Sequence, residues 1–213
     1  MKHPFLRRCS RALVGLGALA GLVSACEGER SPKVPMPPED GVTKTGPCDT
    51  VFGVPSDEGG FHVAECSPIT YSTNPPSAGH HYAAWAAFQE YAEPIPTGYW
   101  LHSVEHGAIA FLYGCDPKAD PACASMLDEV RTYRNGLPMD PDCEPEVKNR
   151  TLIVPYPTLG VAFAAVAWGH YLRADCFDAS LVTALIENFY GQSYEDTCVQ
   201  GFDPTGGPEN CGE

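Results

Sequence analysis

Eight cysteines, Cys48, Cys66, Cys115, Cys123, Cys143, Cys176, Cys198 and Cys211, follow a first stretch that reads as an export signal. An even number of cysteines in an exported chain reads as a disulfide framework, because the compartments outside the cytoplasm oxidise thiols. Each bridge would contribute about 2–4 kcal/mol and would exclude folds that hold its two ends apart. Nearness in sequence favours Cys115–Cys123, across "CDPKADPAC", and Cys198–Cys211. Cys48–Cys66 and Cys143–Cys176 then complete a set. A zinc–thiolate site is disfavoured, since no C-x-x-C spacing occurs.

The export reading comes from "MKHPFLRRCSRALVGLGALAGLVSAC". Lys2, Arg7, Arg8 and Arg11 form a basic start, and an apolar run from Ala12 to Val23 follows. That run has the length of a signal-peptide core and is short for a membrane span. Val23-Ser24-Ala25-Cys26 looks like a lipobox, so residues 1–25 are expected to be a lipoprotein signal peptide and Cys26 the lipidated residue. Acyl chains, with no spanning helix, would then anchor the protein on the outer side of a bacterial membrane, in the periplasm or at the cell surface. Residues 26–47 are rich in Pro, Gly and charge and poor in apolar side chains, which predicts a flexible tether. Residues 48–213 are long enough to form one domain with a core.

All twenty-seven acidic residues lie after Cys26 with only nine of the thirteen Lys and Arg, a formal charge of −18 with histidine neutral. Nucleic-acid binding needs a basic surface and is excluded as a function class. An acidic surface instead attracts cations.

The pattern of elements predicts an α+β domain with a mostly antiparallel sheet and about three helices. "FHVAECSPITY" alternates like a strand, and "YAAWAAFQEYA" is Ala-rich with aromatics at Tyr82, Trp85 and Phe88, which predicts a short helix stopped by Pro94 and Pro96. "GAIAFLYGC" reads as a buried strand. "PACASMLDEVRTYRNG" reads as a helix with Pro121 at its start and Gly136 at its end. "TLIVPY" and "VAFAAVAWGHYL" predict two more strands, the second central because it is apolar on both faces. "DASLVTALIENFYG" is the clearest helix, with Asp178 as its cap and Leu181, Ala184, Leu185 and Phe189 as its apolar stripe. The residues after it read as loop.

The chemistry concentrates in "WLHSVEHGAIAFLY", residues 100–113. If residues 102–106 make one helical turn, His102 and His106 share a face. A third imidazole is available from "PPSAGHHY", where two prolines and Gly79 form a turn that aims His81 or His80. Neutral imidazole is a frequent metal ligand, and His81, His102 and His106 make a three-histidine set. Glu105 would be a fourth ligand or would orient one ring. Met139, in "GLPMDP", is a soft-ligand candidate that would tilt the choice towards copper. His62 and His170 read as ordinary hydrogen-bonded histidines. The spacing H-x-x-E-H also matches the inverted zinc-peptidase motif, with Glu105 as general base. That reading requires a long helix, whereas here Gly107 and a strand follow directly. A hydrogen-bonded plug around Glu105, with no metal, is the structural alternative.

Three stretches, "YSTNPPSAGHHYAAW", "LHSVEHGAIAFLY" and "VPYPTLGVAFAAVAWGHYL", resemble in the same order the signature blocks of a bacterial family known as domain of unknown function 3105. The resemblance spans roughly residues 60–192 and places the family's first-block histidine on His81. His80 stands where proline is usual. The second block falls on His102, Glu105 and His106, and the third on Trp168 and Gly169, with His170 where a basic residue is common. The family implies exported or membrane-anchored proteins with a shared site, and it implies no reaction. The eight cysteines are a departure from it.

The functional expectation is an extracytoplasmic, lipid-anchored domain that binds a transition metal, copper or zinc, in metal handling. The alternatives are a metal-dependent hydrolase or oxidase with Glu105 as base, and a metal-free structural or interaction module.

Overall fold

The computed structural model describes residues 42–45, 48–55 and 59–205. Residues 1–25, expected to be a signal peptide, the expected lipidation site Cys26, and Cys211 lie outside the described residues. Along the chain the elements are β1 (Val42–Thr45), β2 (Cys48–Gly53), β3 (His62–Val63), β4 (His81–Tyr82), α1 (Thr97–Glu105), β5 (Ile109–Tyr113), α2 (Pro121–Gly136), β6 (Thr151–Pro155), β7 (Phe163–Ala167), β8 (His170–Ala174) and α3 (Ala179–Phe189). No helix among the described residues is long and apolar enough to cross a membrane.

Six strands form one sheet in the order β1-β2-β8-β7-β5-β6, and β3 and β4 form a separate two-stranded pair. In the large sheet only β5–β6 is parallel; every other neighbouring pair is antiparallel. The parallel pair is joined through α2, the long crossover that parallel neighbours require. β1 falls within the stretch 26–47 expected to be a tether, so the sheet reaches back to Val42.

Alternating side chains divide the core into two layers. Ala110, Leu112, Leu152, Val154, Ala164 and Val166 face Tyr99, Trp100, Leu101 and Val104 of α1. Ile109, Phe111, Ile153, Phe163 and Ala165 face Leu127 and Val130 of α2 and Val182, Leu185 and Ile186 of α3. Both faces of β5, β6 and β7 are thus covered, which is why these strands read as unbroken apolar runs.

α2 and α3 begin as their sequences predict. Asp120 and Asp178 accept backbone N–H bonds in the first turns, from Ala122 and from Ser180 and Leu181. α1 has no side-chain cap, and all nine of its residues are buried. Its packing sustains it, and its end is well defined. Gly107, at φ +85°, donates to Val104 O while Ala108 donates to Ser103 O, the two bonds of a Schellman motif.

Several expectations are corrected. "YAAWAAFQEYA" is not a helix. Its backbone is claimed by distant segments: Ala86 N–H donates to Tyr99 O, Ala87 N–H to Phe202 O, and Tyr91 N–H to Ile153 O. Tertiary partners override the helix propensity of alanine here. "FHVAECSPITY" contributes only His62 and Val63 as strand. "VAFAAVAWGHYL" is two strands folded back at Trp168-Gly169, with Gly169 at φ +74° and Ala167 opposite His170.

The bridges are Cys48–Cys176, Cys115–Cys123 and Cys143–Cys198, with Cys66 also disulfide-bonded. Of the pairs expected from nearness only Cys115–Cys123 forms. Cys48–Cys66, Cys143–Cys176 and Cys198–Cys211 are displaced because strand pairing, not chain distance, sets the neighbours. Thr50 lies opposite Ala174 in β2–β8, so continuing that register puts Cys48 opposite Cys176, 128 residues away.

Candidate metal centre

The site forms where the β3–β4 pair meets the C-terminal half of α1. In the parallel β3–β4 ladder His62 lies opposite His81, and Val63 opposite Tyr82. Helix α1 can approach because Gly98 has no side chain: a Cβ there would sit 2.6 Å from the Tyr82 ring. This closeness brings His102 against the strand pair. Ring centroids are 5.0 Å apart for His62–His81, 4.6 Å for His62–His102 and 4.8 Å for His81–His102.

Backbone carbonyls fix the rings. Gly79 O lies 2.9 Å from His81 Nδ1, and Tyr82 O lies 2.7 Å from His102 Nδ1. A carbonyl oxygen can only accept, so Nδ1 carries the proton in both rings, and Nε2 offers its lone pair unless the ring is charged. This carbonyl–imidazole pairing is how metal-binding histidines are commonly oriented. His102 Nε2 is buried without a hydrogen-bond partner among the described residues. Burial, reinforced by His106 and His81, pushes the His102 pKa down to about 4, so the ring is neutral at physiological pH.

Glu105 enters from one turn further along α1. Its Oε2 lies 2.8 Å from His81 Nε2, too poorly aligned for a hydrogen bond. A carboxylate oxygen facing an imidazole lone pair at that distance is repulsive unless a positive charge stands between them or on the ring, as a proton or as a cation. Burial works to raise the Glu105 pKa, but His81 beside it outweighs burial and holds the carboxyl below its ordinary range. Gly60 closes the site from above. A Cβ on it would fall 2.6 Å from Glu105 Oε1 and 3.0 Å from the Trp168 ring. Trp168 sets its edge against His81 at 5.7 Å.

His62, His81, His102 and Glu105 thus each offer a ligand atom within 4.8 Å of the others. Atoms bound tetrahedrally to one zinc at about 2.0–2.1 Å lie about 3.3–3.4 Å apart, so side-chain shifts of up to about 1.5 Å would close the set around one ion. His81, His102 and Glu105 are buried and His62 is exposed. A second group joins His102 to His106 and Glu195. His106 Nε2 lies 3.1 Å from Glu195 Oε2, while its Nδ1 is buried without a hydrogen-bond partner among the described residues. Burial lowers the His106 pKa, opposed by Glu195.

The grouping differs from the three-histidine set read from the sequence. His81, His102 and Glu105 come together, but the third imidazole beside them is His62, and His106 belongs to the second group. His62 was indistinguishable from an ordinary histidine because only the β3–β4 pairing places it opposite His81. His80 points elsewhere, its ring 5.6 Å from Phe61. Met139 is 66% exposed and belongs to neither group. His170 stacks on Phe189 at 3.7 Å. Glu195 was missed because it lies in the segment after α3 that reads as loop. That segment is a strap: Ser193 Oγ donates to Glu105 O, Cys198 bridges to Cys143, and Phe202 pairs with Ala86. α1 ends at Glu105, so the long helix that the peptidase motif requires is not formed.

Behind the second group stands a buried ionic cluster. Arg150 donates to His106 O at 3.0 Å, to Asp140 Oδ2 at 3.0 Å, and to Asp196. Tyr190 OH donates to the same Asp140 oxygen at 2.7 Å and accepts from Arg150 N–H. Against the effect of burial, the Asp142 N–H bond to Asp140 Oδ1 together with these bonds holds the Asp140 carboxyl below its ordinary range. The cluster fixes the backbone on which His106 is carried.

The sequence blocks are also physical partners. Asn74 Nδ2 donates to Thr158 O at 2.7 Å, and Gly169 N–H donates to Ser77 O at 2.7 Å. The first bond ties the loop leading to His81 to the turn before β7, and the second ties it to the turn bearing Trp168. A family model described as a protein of unknown function, DUF3105, matches residues 62–200, a stretch containing every member of both groups. No curated protein and no solved structure matches the chain.

Proposed function

Since the chain belongs to the DUF3105 family, whose function is unknown, and carries both histidine groups inside the matched stretch, we propose that it is a transition-metal-binding domain. The ion, copper or zinc, would be held by His62, His81, His102 and Glu105, and the domain would handle metal outside the cytoplasm from a lipid anchor at Cys26. The observation that carries this reading is the pair of Nδ1–carbonyl bonds at His81 and His102, which fix the protons of two buried rings on the side away from Glu105. Imidazole nitrogen suits zinc and copper(II) alike, and three nitrogens with one carboxylate oxygen complete a tetrahedral set without water. A closed set of that kind favours holding and delivering an ion over activating a water molecule. As a ligand in that set, Glu105 would not be free to act as a general base.

The test is elemental analysis of the purified mature domain, followed by titration of the metal-free protein with Cu2+ and with Zn2+. One ion per chain is expected, and His102→Ala should abolish tight binding with the fold retained by circular dichroism. Unchanged metal content in that variant removes the site. The anchor is tested separately, by mass spectrometry of the membrane-extracted protein and by its release in Cys26→Ser.

A further inference from the structure

The second group raises the question of what His106 and Glu195 do. His106 is almost fully buried, and its Nδ1 has no hydrogen-bond partner among the described residues. Glu195, 48% exposed at its side chain, faces its Nε2 from the strap. The strap is fixed by the Cys143–Cys198 bridge and by the Arg150–Asp196 pair, so Glu195 is held beside His106 and does not sit there by chance. Trp85 packs against both rings, 5.6 Å from His102 and 4.6 Å from His106, closing the apolar side.

We propose that His102, His106 and Glu195 form a second seat for the same kind of ion, exclusive with the first because both seats need His102. This rests on the metal-binding reading above. His102 Nδ1 is committed to Tyr82 O, so Nε2 supplies a single lone pair. One lone pair serves one cation, and the two seats are therefore alternatives within a single-ion protein. They differ in chemistry. The first offers three nitrogens and one oxygen; the second offers two nitrogens and one oxygen, and zinc there would keep an open position for an incoming ligand. The second seat is thus the weaker, and the one at which an ion can be exchanged.

The experiment titrates the metal-free mature domain with Zn2+ alone and with Cu2+ alone, by calorimetry. Wild type should bind one ion. His81→Ala should still bind one ion, at least tenfold more weakly, and adding Glu195→Gln to that background should weaken it at least a further tenfold. His62→Ala, at an exposed position, repeats the comparison should His81→Ala fail to fold. Loss of all binding in His62→Ala or in folded His81→Ala overturns the second seat and leaves the first standing, as does a Glu195→Gln substitution without effect in those backgrounds. Two ions bound at once to wild type overturn the exclusivity. No ion bound to wild type overturns the metal-binding reading itself, and the second seat with it.

Discussion

His62 and His81 stand directly opposite one another in the β3–β4 pair, and this register sets His62 as well as His81 against the His102 ring. Two two-residue strands suffice, because a parallel ladder places paired residues side by side. The candidate ligand set is therefore a product of pairing between segments nineteen positions apart.

The first prediction separates the two histidine candidates that flank the site. His62→Ala should weaken zinc or copper affinity at least about tenfold, as expected when one ligand of four is lost. His80→Ala, whose ring lies against Phe61, should change it by less than about twofold. Competition against a chromogenic chelator measures both. Equal losses would mean that β3 does not carry a ligand.

Gly60 gives the second. Alanine there would place a methyl group 2.6 Å from Glu105 Oε1 and 3.0 Å from Trp168, so the carboxylate must move. Affinity should fall about tenfold, a loss of about 1.4 kcal/mol, while thermal stability without metal changes little. An unaltered affinity would show that Glu105 is not bound to the ion.

A third concerns the bridges. In the loop-entropy treatment, closing 128 residues with Cys48–Cys176 stabilises by about 5 kcal/mol, and closing 8 with Cys115–Cys123 by about 2.5 kcal/mol. Serine pairs at these positions should lower the urea midpoint in that order. The reverse order would locate the stabilisation in local packing instead.

The fourth is a pH profile of the metal-free domain. His102 has its pKa lowered from 6.5 to about 4, so between those values the unfolded chain binds a proton that the folded chain refuses. Its contribution is intact above about pH 6.5, declines as pH falls through that window, and is gone below about 4. Glu105 and Asp140 are held below the ordinary carboxylate range, so their contributions disappear only at still lower pH. The melting temperature should therefore fall in two stages on acidification, and His102→Gln should diminish the first, to which the buried His106, its pKa also lowered, contributes. A single stage in both proteins would contradict the assignment.

The sequence makes α2, α3 and the buried strands legible because each has a local signature: Pro121 at the start of one helix and Asp178 at the cap of the other, an apolar stripe, or a short run covered on both sides. It misleads at Tyr82–Ala92, where the alanine content is real but Tyr99, Ile153 and Phe202 supply the hydrogen-bond partners. The site follows the same division. His102 and Glu105 stand out because they share one helical segment with His106, and His81 because a Gly-Pro turn precedes it. His62 and Glu195 carry no such mark, since strand register delivers one and a disulfide-tied strap delivers the other.

The Gly79 and Tyr82 carbonyls that hold two rings belong to one four-residue span, and that span admits no slippage. Adding or deleting a single residue there would turn His81 to the opposite side of its strand and bring His80 or Tyr82 round in its stead. Two adjacent histidines look like a duplicate, yet neither can substitute for the other. Insertions tolerated in the surrounding loops should therefore be rejected between Gly79 and Tyr82.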